Sequence, residues 1–541
     1  MEKSTNQKQH PTEVVEEQEP EIKPESIKDD SDSHSDHDHE YHNETKKEAK
    51  HETSYTVTAT ATDVESQRHS IQLHQTPSHV STHDPPAIHD QHYEAGDEIY
   101  SRFSKWRKVS IVAILSFSSF LAPISSTSIL AASPEVVSTY HTTGTIFNIS
   151  NALYMLFMGL SPLVWGPLGQ TYGRKWTLVW AAVTFTAFSA GSALAPNLAS
   201  YFVFRMLTAF QGTAFLIIGG TAIGDIYRPV ERGTAYSWFM SGTLIGPAFG
   251  PFIGGIIVTF VSWRDVFWLQ TALAALSTIL IIFFLPETIH KKRSDDIKSL
   301  PTTQQISHIW HWINPARVVI LFKYPNLVII AIASSSLVWN MYSLLTPIRY
   351  VLNPRFHLTT PLQSGLFYIA PGCGYLTGTF FGGRWADAMV RRYMKLRGGH
   401  RIPEDRLHSC LPAMGLVIPA CMLVYGWTIE KSVGGIAVPV IAMFLQGVAQ
   451  LFCFPSLNTY CLDVMQSRSS EVVAGNYFIR YLFGAVGSAV VLPIIQAIGV
   501  GWFSTISALF VAVGALGTWA VAVWGKDWRE RVDRGKEGGD D

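Results

Sequence analysis

The sequence predicts an all-α polytopic membrane protein of twelve transmembrane helices in two six-helix bundles. Three observations carry that prediction. Charged residues make up only 15% of the 541 positions and hydrophobic ones 47%, against roughly a quarter charged in soluble proteins. Apolar runs recur from Val109 to Trp524, each near the ~20 residues a helix needs to cross the hydrocarbon core. One long polar break, 287–325, divides those runs six and six. Lipid admits only helices and closed barrels, and continuous apolar runs are unlike the alternating pattern of barrel strands.

Residues 1–105 carry ten Lys/Arg against 23 Asp/Glu, and residues 106–541 carry 31 against 19. The net charge of −1 is therefore the cancellation of an acidic tail against a basic body. Rich in Glu, Asp, Ser, Thr and His and without an apolar run, the tail reads as disordered. It has no cleavable signal pattern, so the first span is expected to serve as the membrane signal. The spans are expected at 109–131, 145–166, 176–195, 199–223, 234–258 and 264–285, then 326–348, 363–383, 408–428, 434–461, 471–497 and 500–524. The expected divisions are a tail (1–105), an amino-terminal bundle (106–289), a central loop (290–325), a carboxy-terminal bundle (326–525) and a final tail (526–541).

Lys and Arg near span ends remain in the cytoplasm. With the amino terminus inside, 27 basic residues fall on that side and four (Arg264, Arg349, Arg355, Lys431) on the other. Both termini are then cytoplasmic, the membrane most simply the plasma membrane, and the sequon at Asn43 is not expected to be glycosylated. Five cysteines suggest neither a disulfide framework nor a zinc site.

Between spans two and three the chain reads Gly166-Pro167-Leu168-Gly169-Gln170-Thr171-Tyr172-Gly173-Arg174-Lys175. Glycines permit a tight reversal and close helix approach, and the bases sit at headgroup level. Gly166, Gly173, Arg174 and Lys175 resemble the loop signature of the major facilitator superfamily. Gln170 and Thr171 stand where that signature has an acid and a base. The family's acid joins a cytoplasmic charge network that steadies the outward-facing state, which leaves that lock in question here. A second copy follows span eight, Gly382-Gly383-Arg384-Trp385-Ala386-Asp387, in which the acid survives as Asp387.

Span five carries Gly242, Gly246, Gly250 and Gly254 at intervals of four, with Pro247, Pro251 and Gly255. That spacing lays a bare stripe along one helix face. It resembles the antiporter motif of the twelve-span drug:proton antiporter branch, and the resemblance implies that this helix packs against the other half and limits leakage.

Arg205 and Arg480 lie inside spans, where a charge faces a cavity or a partner, or snorkels to the surface. Arg205 is similar to the family's motif-B arginine, which is linked to proton coupling. Arg480 has two open readings, the central cavity or a carboxylate near the cytoplasm. Asp225 and Arg232 after span four, and Asp463 after span ten, resemble paired gating loops, with solvated charge turns as the alternative. Asn340, Tyr342, Gln446, Gln450 and Asn476 lie in helices that line the family's cavity, although each alone is more readily a helix-packing hydrogen bond than a ligand contact.

No acid falls at mid-membrane, which makes an anionic or neutral substrate at least as plausible as a cation. No phosphate-binding loop or His-Glu-x-x-His motif occurs, so neither an ATP-driven pump nor an enzyme is expected. The tract from Ser33 to His42 is rich in His and Asp, but a solvated tail is favoured over a metal site. The reading is a fungal-type multidrug exporter: a monomeric, proton-coupled secondary transporter of a small organic molecule in the lipid bilayer, with no cofactor, metal or nucleic acid. Export or exchange of an endogenous organic acid is the nearest alternative, and a non-transporting nutrient sensor the alternative of another class.

Overall fold

The computed structural model describes residues 98–297, 314–357 and 361–537, with isolated positions between 301 and 312. The acidic stretch 1–97, including the His-rich tract and Asn43, lies outside the described residues.

The first six spans are α1 (Lys105–Thr127), α2 (Gly144–Thr171), α3 (Arg174–Leu194), α4 (Leu198–Ile226), α5 (Arg232–Phe260) and α6 (Arg264–Phe284). The second six begin with α7 (Pro325–Leu345), α8 (Pro361–Leu396), α9 (Ala413–Lys431) and α10 (Ala437–Val464). A continuous helix, Ser469–Glu537, then holds α11 (469–498) and α12 (500–537), broken where Gly499 takes φ 84°.

Among the described residues ten helices are long and apolar enough to cross a membrane. Two differences separate that figure from twelve. Gly499 divides the last of the ten into two spans. The helix Pro361–Leu396 falls short on apolarity because Gly, Thr and Tyr dilute its membrane half and Arg391-Arg392 extend it into the loop.

Some of the spans start where a neighbouring side chain satisfies orphan N–H groups. Ser104 accepts from the backbone of Arg107 at the head of α1, and Asn197 and Ser200 form a capping box at α4. The helices overrun the hydropathy segments at the basic end, where water and headgroups replace lipid. The expected tail 526–541 is helical through Glu537, and the central loop contains the short helix Ala316–Ile320.

Large apolar residues are exposed along the outside, among them Trp180, Phe283, Leu509 and Leu516, which suits faces turned toward lipid rather than water. The glycine stripe of α5 lies on α1, within the same half. A Cβ at Gly242 would sit 2.1 Å from the Ser116 carbonyl oxygen, and one at Gly254 2.0 Å from that of Ser128. The bare stripe is thus used within its own half, while the helix also packs against the other half, as the resemblance implies, through its opposite side. The opposite side of α5 meets α8, and there α8 supplies the small residues: a Cβ at Gly365 would lie 3.1 Å from the Phe252 backbone, and one at Gly372 2.8 Å from the Phe249 ring. The second contact between halves joins α2 to α11, where a Cβ at Gly166 would lie 2.7 Å from that of Ala474.

Candidate functional site: a charged gate and a central cavity

The basic loops gather at one face of the bundle, and two charge clusters close it. In the first, Gly173 takes φ 96° at the start of α3 and leaves no room for a side chain, since a Cβ there would lie 2.3 Å from Glu287 Oε2. Glu287 Oε1 accepts the backbone N–H of Arg174 at 2.8 Å. The Arg174 side chain, 1% exposed, then donates three ways: Nε to Asp225 Oδ2 at 3.0 Å, Nη2 to Gln170 Oε1 at 3.1 Å and Nη1 to Ser470 Oγ of α11 at 2.7 Å. Gln170 therefore keeps a place in the cluster as a neutral acceptor, and Arg174 crosses to the other half without the acid. The Lys175 backbone N–H also points at Glu287, at 3.4 Å.

The second cluster is built on two carboxylates of the carboxy-terminal six. Asp387 of α8 accepts the backbone N–H groups of Gly233 and Thr234, both at 2.8 Å, and the Thr234 hydroxyl at 2.7 Å. It thereby caps α5 across the halves, where the first-turn N–H groups have no helical partner. Asp463 of α10, fully buried, pairs with Arg232 of α5 and with Arg401 at 3.0 Å. Arg406 joins the two acids, at 3.3 Å from Asp387 and 3.4 Å from Asp463, and donates to the Pro229 carbonyl of the other half. Of the paired loops after spans four and ten, Arg232 and Asp463 join the two, while Asp225 pairs with Arg174 inside the amino-terminal half.

A third acid, Glu471 at the head of α11, gathers Arg293 and Arg468 at 2.6 Å and Arg317 at 3.5 Å. Two of those arginines belong to the central segment, which ties that segment to the carboxy-terminal six. Between α8 and α9, burial pushes the Glu404 carboxyl above its ordinary value, opposed by Arg529 at 3.4 Å and the Tyr460 hydroxyl.

Sequence reasoning missed Glu287, Ser470, Arg401 and Arg406. Pro286-Glu287-Thr288 stood beside the central loop, but only folding shows that Glu287 meets the α3 terminus. Arg401 and Arg406 had been counted simply as loop charge.

Deeper in the bundle, Arg205 is 1% exposed and does not snorkel. It donates to the Ser125 carbonyl at 3.1 Å and to Asn151 Oδ1 at 2.9 Å, with its guanidinium 4.5 Å from the Tyr154 ring centre. Arg480, 4% exposed, reaches the central cavity. This cavity holds about 30 Å³ and is walled from both halves, by Ser126, Thr243 and Pro247 on one side and Tyr342, Phe454 and Arg480 on the other. At that volume it holds no more than a few water molecules.

Of the polar candidates, Tyr342 and Arg480 line this cavity. Asn340, Gln446, Gln450 and Asn476 do not. Gln446 donates to Asn340, Gln450 to the Leu337 carbonyl at 3.4 Å and Asn476 to Asn458 at 3.1 Å. These are helix-packing bonds, formed because a buried amide in lipid must find a protein partner. Among the described residues no three His, Cys, Asp or Glu side chains gather in a group that could hold a metal ion.

Residues 115–488 match the model of the Major Facilitator Superfamily. The MFS antiporter QDR3 of Candida albicans is 24% identical, the match covering 79% of each chain. Efflux pump radE of Floropilus chiversii is 27% identical over 77% of this chain and 80% of its own. Among solved structures, the human organic anion transporter MFSD10 shares the fold with a TM-score of 0.61 at 13% identity, covering 76% of this chain and 99% of that one. The matched family, spanning most of the chain, agrees with the paired halves and the cavity between them: this chain belongs to the Major Facilitator Superfamily and is a multi-pass membrane transporter of small organic molecules, not an enzyme.

Proposed function

We propose that the protein is a proton-driven exporter working by alternating access, with both termini and the charged gate in the cytoplasm. One observation carries the reading: arginine–carboxylate and carboxylate–backbone contacts join the two halves at a single face, through Arg232–Asp463 and through Asp387 on Gly233. With 27 basic residues there against four opposite, that face is the cytoplasmic one. The conformation is therefore closed toward the cytoplasm, as an exporter is while it resets. Two of the relatives, an antiporter and an efflux pump, support export by exchange.

The mid-membrane helices hold arginines but no acid, so the coupling proton acts at the gate. Protonating Asp387 removes a charge that holds the halves together and favours opening toward the cytoplasm, while Asp463 stays charged against its three arginines. Loss of the proton reforms the lock. The plasma membrane is the proposed location. A monomer suffices, because one chain supplies both walls of the cavity.

The test is flux of small organic probes in vesicles reconstituted with the full chain. An imposed pH gradient is expected to drive accumulation and its collapse to abolish it; flux indifferent to the gradient contradicts proton coupling.

A further inference from the structure

Arg480 is a buried cation without a counter-ion. Among the described residues no carboxylate pairs with it and no side chain or carbonyl accepts a hydrogen bond from it. Arg205, in the other half, has both a carbonyl and an amide acceptor. What Arg480 has instead is aromatic: its guanidinium lies 3.6 Å from the Tyr477 ring centre and 5.5 Å from that of Phe454. Ring faces stabilise a cation but take up none of its N–H donors in hydrogen bonds, so the donors stay available to a ligand. Those donors face the central cavity, which Arg480 lines.

A second feature of the same cavity points the same way. The Thr243 hydroxyl on α5, in the wall formed by the other half, is buried and has no hydrogen-bond partner. The remaining wall is apolar and deformable, with Met158, Met240 and Met341 among its residues. Methionines adapt to ligands of varied shape. A cavity with one uncompensated cation, one free hydroxyl and a soft apolar wall suits an amphipathic molecule that bears one negative charge.

We infer that Arg480 docks an anionic group of the transported molecule, so that the protein carries lipophilic organic anions such as alkyl-aryl carboxylates. This inference rests on the transporter reading and narrows its substrate class. A planar carboxylate can take two guanidinium N–H bonds at once, with the Thr243 hydroxyl reaching it from the other half. Binding then bridges the two bundles at mid-membrane.

The test uses purified full-length protein and three matched probes: 4-butylbenzoate, its neutral amide 4-butylbenzamide and the cation 4-butylbenzylamine. Dissociation constants are measured by calorimetry on the wild type, Arg480→Gln and Arg480→Lys. The wild type is expected to bind the carboxylate about tenfold or more tightly than the amide, the range expected of a hydrogen bond to a charged group. Arg480→Gln should bring that ratio near one, and Arg480→Lys should retain most of it. Size-exclusion behaviour and amide binding report whether Arg480→Gln has folded; if it has not, Arg480→Lys and the wild-type ratio decide. A wild type that binds carboxylate and amide equally, prefers the cation or binds none of the three overturns the inference, as does a preference undiminished in a folded Arg480→Gln. Vesicle flux of the tightest-binding probe with and without a pH gradient separates the two readings: anion preference with gradient-independent flux removes proton coupling and leaves the site intact, whereas gradient-driven flux without anion preference does the reverse.

Discussion

Asp387 of α8 accepts the backbone N–H of Gly233 at the head of α5 at 2.8 Å, so a carboxylate of one half closes a helix end of the other. The contact needs no lysine or arginine on α5, because the helix terminus supplies the positive end itself.

Asp387→Asn keeps the shape and removes the charge. A hydrogen bond to a charged group contributes about 1.5–3 kcal/mol, so the closed state should lose roughly ten- to a hundredfold of its advantage. Ser237, fully buried and donating to the Thr379 carbonyl across the same seam, is the place to read it. A cysteine introduced there is expected to react with a cytoplasmic thiol reagent faster in Asp387→Asn by about that factor. An unchanged rate would show that the cap does not hold the gate.

Gln170→Glu should strengthen the first cluster. Its side-chain oxygen already lies 3.1 Å from Arg174 Nη2, and a carboxylate there adds charge without moving the partner. The expected outcome is a lower transport rate with tighter closure at the cytoplasmic face, measured as turnover alongside the Ser237→Cys labelling rate. Faster turnover with looser closure would contradict it.

The glycine stripe predicts a steep contrast between similar substitutions. Gly242→Ala places a methyl 2.1 Å from the Ser116 carbonyl oxygen, so α1 and α5 must separate, whereas Gly144→Ala meets nothing within 4 Å. Overpacking of this kind costs about 1–3 kcal/mol. Thermal unfolding in detergent should show a clearly lower Tm for Gly242→Ala and an unchanged one for Gly144→Ala.

His408, in the turn between α8 and α9, stacks on Tyr393 with ring centres 4.5 Å apart. Burial pushes its imidazole below the ordinary 6.5, with Asp405 opposing. The unfolded chain then takes up the proton first, so the stabilising contribution is complete above pH 6.5 and declines as the pH falls from there through the lowered folded value. His408→Phe keeps the stack and removes the titration. Its Tm should fall less than that of the wild type between pH 7.5 and pH 5.5, and equal losses would rule out His408 as a source.

The helices were legible because crossing a bilayer demands a long apolar run, and such runs are visible without knowledge of any partner. Their basic-face extensions were less so, since past the hydrocarbon a helix such as 500–537 is held by packing and capping rather than by hydropathy. Asp387, Asp463 and Arg232 could be named from their loops, but not Arg406, which joins both acids only after the turn Pro403–Ser409 folds under them. Spacing exposed the glycine stripe of α5 and left its partner unknown, because a bare face fits any backbone that approaches it. Arg205 and Arg480 looked alike as intramembrane charges. Their difference lies in whether a neighbouring helix offers an acceptor, which is a property of the assembled bundle.

We propose that the halves are locked at the basic face by Asp387 and Asp463 and exchange that closure for closure at the opposite face. Spin labels at Tyr172 and Arg391, both exposed on the basic face, and at Thr143 and Ser432 on the other, report the two separations once exposed Cys373 is replaced. In the Asp387→Asn, Asp463→Asn double variant the first distance should lengthen and the second shorten together. Two unchanged distances, or a lengthening at both faces, would contradict the account.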